Sequence, residues 1–112
     1  MSTSVFPDAR PFPVNLRLAG KPVLVVGGGS VARRKIGQLL EAGADITVVA
    51  PLIDPLLEQL PVTIERRRYE MQDTARYSLV ITCTDDPVVN HRVHLDGLAA
   101  GVWVNSADDP EN

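Results

Sequence analysis

The chain has very little of several things. It holds one cysteine, Cys83, so no internal disulfide can form. Absence of disulfides suits a reducing compartment, and residues 1–10 contain no apolar run resembling a signal peptide; the expected location is cytoplasmic. No apolar stretch is long enough to span a bilayer, so no membrane partner is expected. Aromatics make up 4% of residues, which leaves Val, Leu, Ile and Ala to build the core. There is no excess of basic charge either: net charge is -3 and the pI about 5.2. An acidic balance argues against general nucleic-acid binding, which depends on cations displacing counterions from phosphates. At 112 residues the chain fits one domain with one modest core.

Against these absences stands a regular alternation of apolar runs and helical patterns. Residues 1–14, with Pro7, Pro11 and Pro13, read as an extended lead-in to a domain covering 15–112. Residues 21–26 (KPVLVV) form an apolar run without polar alternation, as expected of a strand covered on both faces. Ser30 is placed to cap a following helix, with Val31, Ala32, Ile36, Leu39 and Leu40 near one face and Gly43 at its end. Ile46–Ala50 is a second strand, stopped by Pro51. A short helix is predicted around 54–60, and residues 62–66 alternate like a strand near a sheet edge. Residues 78–84 (SLVITCT), 88–100 and 102–105 predict a fourth strand, a helix ended by Gly101, and a fifth strand. Alternation of this kind predicts an α/β fold: a Rossmann-like parallel sheet of five strands, order 3-2-1-4-5, with helices on both faces.

Residues 27–32, Gly-Gly-Gly-Ser-Val-Ala, fit G-x-G-x-x-A between the first strand and the first helix. Gly27 permits a tight turn, Gly29 lets the backbone approach a pyrophosphate, and Ala32 lets the helix pack closely on the strand. Gly28, Ser30 and Val31 belong to the same turn, whose N–H groups and positive dipole end favour phosphate. Arg33, Arg34 and Lys35 oppose that dipole, a cost that a bound anion would offset. Ala50 and Pro51 stand where such sites usually carry an acid for the ribose hydroxyls. Asp54, four residues after Ala50, can substitute; its alternative role is to cap a helix opened by Pro55. Thr84, Asp85 and Asp86 fall at the carboxyl end of strand four, where open α/β sheets bind ligands, and Asp86 can equally cap the next helix. Cys83 reads as a buried strand residue, Trp103 as a core or interface residue, and Arg66–Arg68 as a solvated strand edge. His91 and His94 lie three apart on a helix without further ligands nearby, so no metal site is expected.

Taken together these blocks resemble one family. Residues 24–35 (LVVGGGSVARRK) are similar to the VVGGG-x-VA-x-RK signature of precorrin-2 dehydrogenases and sirohydrochlorin ferrochelatases. Residues 12–16 (FPVNL), 40–44 (LEAGA), Ala50-Pro51, 84–90 (TDDPVVN) and 104–108 (VNSAD) resemble other stretches of that family. The resemblance implies oxidation of the tetrapyrrole precorrin-2 to sirohydrochlorin in siroheme biosynthesis, with NAD accepting hydride, and in some members ferrous iron insertion. It also implies that Asp108 is the catalytic residue, acting as general base, and that Thr84, Asp85 and Asp86 sit beside the cofactor. Family members continue past this aspartate into a segment that forms a homodimer and completes the substrate pocket. Two other readings of the residues stay open: a non-catalytic nucleotide-sensing Rossmann module, and a domain that keeps the fold but binds nothing. Sensors usually carry an acid where Ala50 stands.

Overall fold

A computed structural model describes residues 8–106. Five strands, β1 (Pro22–Val26), β2 (Asp45–Val49), β3 (Thr63–Glu65), β4 (Leu79–Thr82) and β5 (Trp103–Ser106), form one sheet in the order β3-β2-β1-β4-β5. Every neighbouring pair is parallel. Helix α1 (Ser30–Glu41) connects β1 to β2, and α2 (Pro87–Ala100) connects β4 to β5. Two short 3-10 turns, Pro55–Gln59 and Met71–Arg76, complete the elements.

The two faces of β1 explain its lack of alternation. Val23 and Val25 join Ala32, Ile36 and Leu39 of α1, with Ile46, Val48, Leu57, Leu79 and Ile81, in one core. Leu24 and Val26 join Val49, Val80 and Val93 of α2 in the other. Both faces are covered, so both sets of side chains are apolar. Full burial of each Val, Leu or Ile among them contributes about 1.5–3 kcal/mol. Gly97 brings α2 against β5: a Cβ there would stand 2.2 Å from Val104 Cγ2.

Several local expectations need correction. Ser30 is the first helical residue of α1, and Gly29 is the N-cap, with no side-chain cap bond. The helix opens on backbone alone because the turn needs its glycines more than a capping hydroxyl. β4 ends at Thr82, not Thr84, because the chain leaves the sheet at Cys83 once its N–H has bonded the Val26 carbonyl (2.8 Å). Cys83 is accordingly half-buried after the strand instead of inside it. Trp103 is 72% exposed, which overturns the core alternative of its reading and leaves the interface one.

The basic run is not simply a solvated edge. Arg67 donates to both oxygens of Asp73 (2.8 and 2.8 Å) and to Glu65 (3.1 Å), while Arg66 pairs with Glu58. Asp73 is buried at the start of the unforeseen 3-10 turn and also accepts from the Glu70 N–H (2.8 Å). Burial alone would raise its pKa, but the bonds from Arg67 and Glu70 outweigh that and hold it below its ordinary value. The same bond to Asp73 raises the Arg67 pKa. Tyr69 hydrogen-bonds Asp96 of α2 (2.6 Å) and Thr74, and burial followed by the Asp96 contact raises its pKa. The 66–76 segment is thus braced internally by Arg67–Asp73 and tied to α2 by Tyr69–Asp96.

Candidate functional site

Three loops leave the carboxyl ends of adjacent strands β2, β1 and β4, and they enclose a cleft of about 500 Å³. The glycine turn after β1 forms its floor; Ala50–Asp54 and Cys83–Asp85 form its sides. The order β2-β1-β4 makes this the point where the chain's path across the sheet reverses, the usual ligand position in open α/β sheets.

Main-chain bonds hold the loops together. Gly27 N–H donates to Val49 C=O (3.0 Å), and Asp54 N–H donates to Gly28 C=O (2.7 Å). The three glycines do different work. Gly27 has φ +127°, and a Cβ on it would lie 2.8 Å from the Cys83 carbonyl carbon and oxygen. A Cβ on Gly28 would lie 2.4 Å from the Leu52 oxygen. Gly29 has an ordinary φ of -100°, and a Cβ there would meet no atom within 4 Å. Two glycines therefore let the loops close on one another, and the third leaves room in the cleft.

That room lies at the start of α1. Helical bonding begins with Arg33 N–H to Gly29 C=O (3.0 Å). The N–H groups of Ser30, Val31 and Ala32 precede it and have no helical carbonyl to reach. No acid stands in the first turn to compete with an anion. A backbone cradle, N–H groups at a helix start and a bare Cα at Gly29 together fit a pyrophosphate.

Gly27, Gly28, Gly29, Ser30, Val31, Ala50, Pro51, Thr84 and Asp85 all line this cleft. Ala32 does not: it is fully buried against the sheet. Asp86 caps α2, its Oδ1 accepting from Val88 N–H (2.9 Å), and is not among the lining residues. Thr84 Oγ1 lies 2.7 Å from Asn90 Oδ1, and the Asn90 amide donates to the Thr84 carbonyl (3.0 Å). Its hydroxyl thus fixes the loop. Leu52, Ile53, Asp54 and Cys83 also line the cleft. The motif does not reveal Leu52 and Ile53, because only the folding of the loop over Gly28 places them there. Asp108 lies outside the described residues. Among the described residues no group of three or more His, Cys, Asp or Glu could hold a metal ion, and His91 and His94 face each other at 6.5 Å between ring centroids. No helix among them is long and apolar enough to cross a membrane.

Comparison with known proteins decides the kinship. Residues 14–112 match a family described as "Putative NAD(P)-binding". The chain belongs to this NAD(P)-binding family. Among its relatives, the "Probable multifunctional siroheme biosynthesis protein HemA" of Ruminiclostridium josui is 45% identical over 101 residues, covering 87% of this chain and 20% of that protein. The siroheme synthase of Psychrobacter sp. (strain PRwf-1) is 41% identical over 103 residues, covering 88% of this chain and 21% of that protein. The chain thus spans about a fifth of the length of these curated relatives. The solved structure of SirC, a precorrin-2 dehydrogenase, superposes with a TM-score of 0.78 at 32% identity, covering 88% of this chain and 50% of that one. The five-stranded 3-2-1-4-5 Rossmann-like sheet expected from the sequence is the observed one.

Proposed function

We propose that this NAD(P)-binding chain is the cofactor-holding domain of a precorrin-2 dehydrogenase that oxidises precorrin-2 to sirohydrochlorin in siroheme biosynthesis. The observation that carries the reading is the glycine turn at the floor of the β2-β1-β4 cleft, found in a chain akin to siroheme synthases and SirC. NAD is the proposed cofactor; when bound, it accepts hydride from the substrate. Gly29 and the first N–H groups of α1 hold its pyrophosphate, with Gly27 and Gly28 keeping the loops closed around it. Ala50 and Pro51 pack beside the adenosine half, and Thr84 and Asp85 stand on the β4 side, toward the nicotinamide. Asp108 is the proposed general base, taking the proton that leaves the substrate as hydride departs. Ferrous iron insertion, a homodimeric assembly in full-length form and a cytoplasmic location belong to the same proposal.

Calorimetric titration of the chain with NAD tests the cofactor half, and saturable binding is the expected result. Conversion of precorrin-2 by the full-length protein, followed by sirohydrochlorin absorbance, tests the rest. Asp108→Asn should lower the oxidation rate by about 10²–10⁴-fold, the usual worth of a positioned acid or base. An undiminished rate removes Asp108 from the reaction.

A further inference from the structure

The ribose end of the cleft lacks the residue that such sites ordinarily use. An acid at the end of the second strand takes the ribose hydroxyls, whereas β2 here runs from Val49 into Ala50 and Pro51. Two acids line the cleft, and they flank the glycine turn from opposite sides. Asp85 follows β4 and Asp54 follows β2, the side on which an adenosine ribose lies.

Asp54 is fixed twice. Its N–H is bound to the Gly28 carbonyl (2.7 Å), which ties it to the phosphate turn itself. Its Oδ1 accepts from Leu56 N–H (2.9 Å), capping the 3-10 turn that Pro55 opens. Capping uses that oxygen; the other, Oδ2, stands 4.0 Å from Nη1 of Arg33. Arg33 comes from the first turn of α1, where a cation opposes the helix dipole. The two side chains are 26% and 44% exposed, so both remain open to a ligand. A carboxylate that lines the cleft therefore has a guanidinium beside it, although Arg33 itself is not a lining residue.

Resting on the cofactor reading above, we infer that Asp54 discriminates between the two dinucleotides and that Arg33 tempers the discrimination by offering a cation to a 2′-phosphate. Asp54 accepts a hydrogen bond from the adenosine ribose 2′-hydroxyl of NAD. A 2′-phosphate in that place meets the carboxylate as a like charge, and Arg33 only partly offsets it because it already faces Oδ2. Capping alone would need no charge, since an Asn oxygen caps as well as an Asp oxygen. Beyond its approach to Arg33, the charge of Asp54 has a use only if it meets the ribose.

The test is calorimetric titration of the 112-residue chain, its Asp54→Asn variant and its Arg33→Gln variant with NAD and, separately, NADP. The parent should prefer NAD by at least about tenfold, the worth of one charge-assisted hydrogen bond. Asp54→Asn keeps the cap and should erase most of that preference, weakening NAD and strengthening NADP. Arg33→Gln should weaken NADP more than NAD; an equal effect on both removes Arg33 from the choice. Asp54→Ser, a second uncharged cap, repeats the measurement should the Asn variant melt early. A parent that prefers NADP overturns the inference. So does an Asp54→Asn variant that changes both affinities by one factor or neither, which leaves Asp54 as a cap and the cofactor reading intact. Binding of neither dinucleotide by the parent overturns the cofactor reading and this inference with it.

Discussion

Gly27 and Gly29 are two residues apart, yet alanine at each should fail in opposite ways. At Gly27 the substituted chain must hold φ +127°, a conformation that costs an L-residue about 1–3 kcal/mol. The new Cβ also stands 2.8 Å from the Cys83 carbonyl group, which is backbone and cannot swing aside as a side chain would. Relieving that contact displaces the chain just after β4, and overpacking of this kind adds about 1–3 kcal/mol. With an unfolding entropy of about 2.1 cal/mol/K per residue, each kcal/mol moves the Tm of a chain this size by about 4 °C. Gly27→Ala should therefore lower Tm by about 8–24 °C. At Gly29, φ is -100° and the Cβ touches nothing. Only the poorer N-cap is felt, at no more than about 1 kcal/mol, or about 4 °C. The same Cβ occupies the space through which a phosphate reaches the helix start. Loss of one charge-assisted bond there costs about 1.5–3 kcal/mol, hence at least tenfold in NAD affinity. Circular-dichroism melts and NAD titrations on both variants separate the effects. A Gly29→Ala variant that melts as early as Gly27→Ala, or binds NAD as the parent does, would falsify this division of labour.

Two further outcomes follow from the packing. Gly97→Ala should destabilise the chain by about 1–3 kcal/mol, less the gain of at most about 1 kcal/mol in helix propensity, because its Cβ collides with Val104. In urea unfolding, Val104→Ala in the same chain should recover part of that loss; strictly additive effects would show that α2 and β5 do not meet as described. Asp73 has a pKa depressed below 3.8 in the folded state, so around pH 4 the unfolded chain binds more protons than the folded one. Its contribution is present above that pH and lost as pH falls through the folded value. Asp73→Asn should cost about 1–3 kcal/mol at neutral pH and flatten the fall of Tm on the acid side; an unchanged acid slope assigns that fall to other carboxylates.

The parallel sheet was legible because Val23–Val26 and Leu79–Ile81 are apolar throughout and β2 turns Ile46 and Val48 to one face and Val49 to the other, a pattern few other arrangements tolerate. The glycine turn was legible because its spacing reflects local backbone geometry. The Met71–Arg76 turn was not, since its hold on the fold comes from Arg67–Asp73 and Tyr69–Asp96, pairs 6 and 27 residues apart that no periodicity reveals. Charge in a run such as Arg66–Arg68 says nothing of which member will turn inward. Trp103 shows the converse: a bulky apolar residue in a strand reads as core or interface, and its exposure overturns the first.

The site itself divides along the same line. Most of what lines the cleft contributes main chain: Gly27–Gly29, the start of α1, Ala50 and Pro51 have little side-chain chemistry, and their roles follow from shape. A motif can therefore locate a dinucleotide cleft without saying which dinucleotide it suits. That choice depends on a carboxylate tied to the glycine turn through its own backbone, Asp54 N–H to Gly28 C=O, and held in orientation by the cap it gives Leu56 N–H. Four residues of sequence separate Asp54 from Ala50, the position an acid usually holds. Folding the loop back over Gly28 brings Asp54 to the cleft, and the lack of a side chain at Gly28 is what lets the loop come so close. On this reading Gly28 acts on cofactor choice without touching the ribose, by letting the chain deliver Asp54 to it.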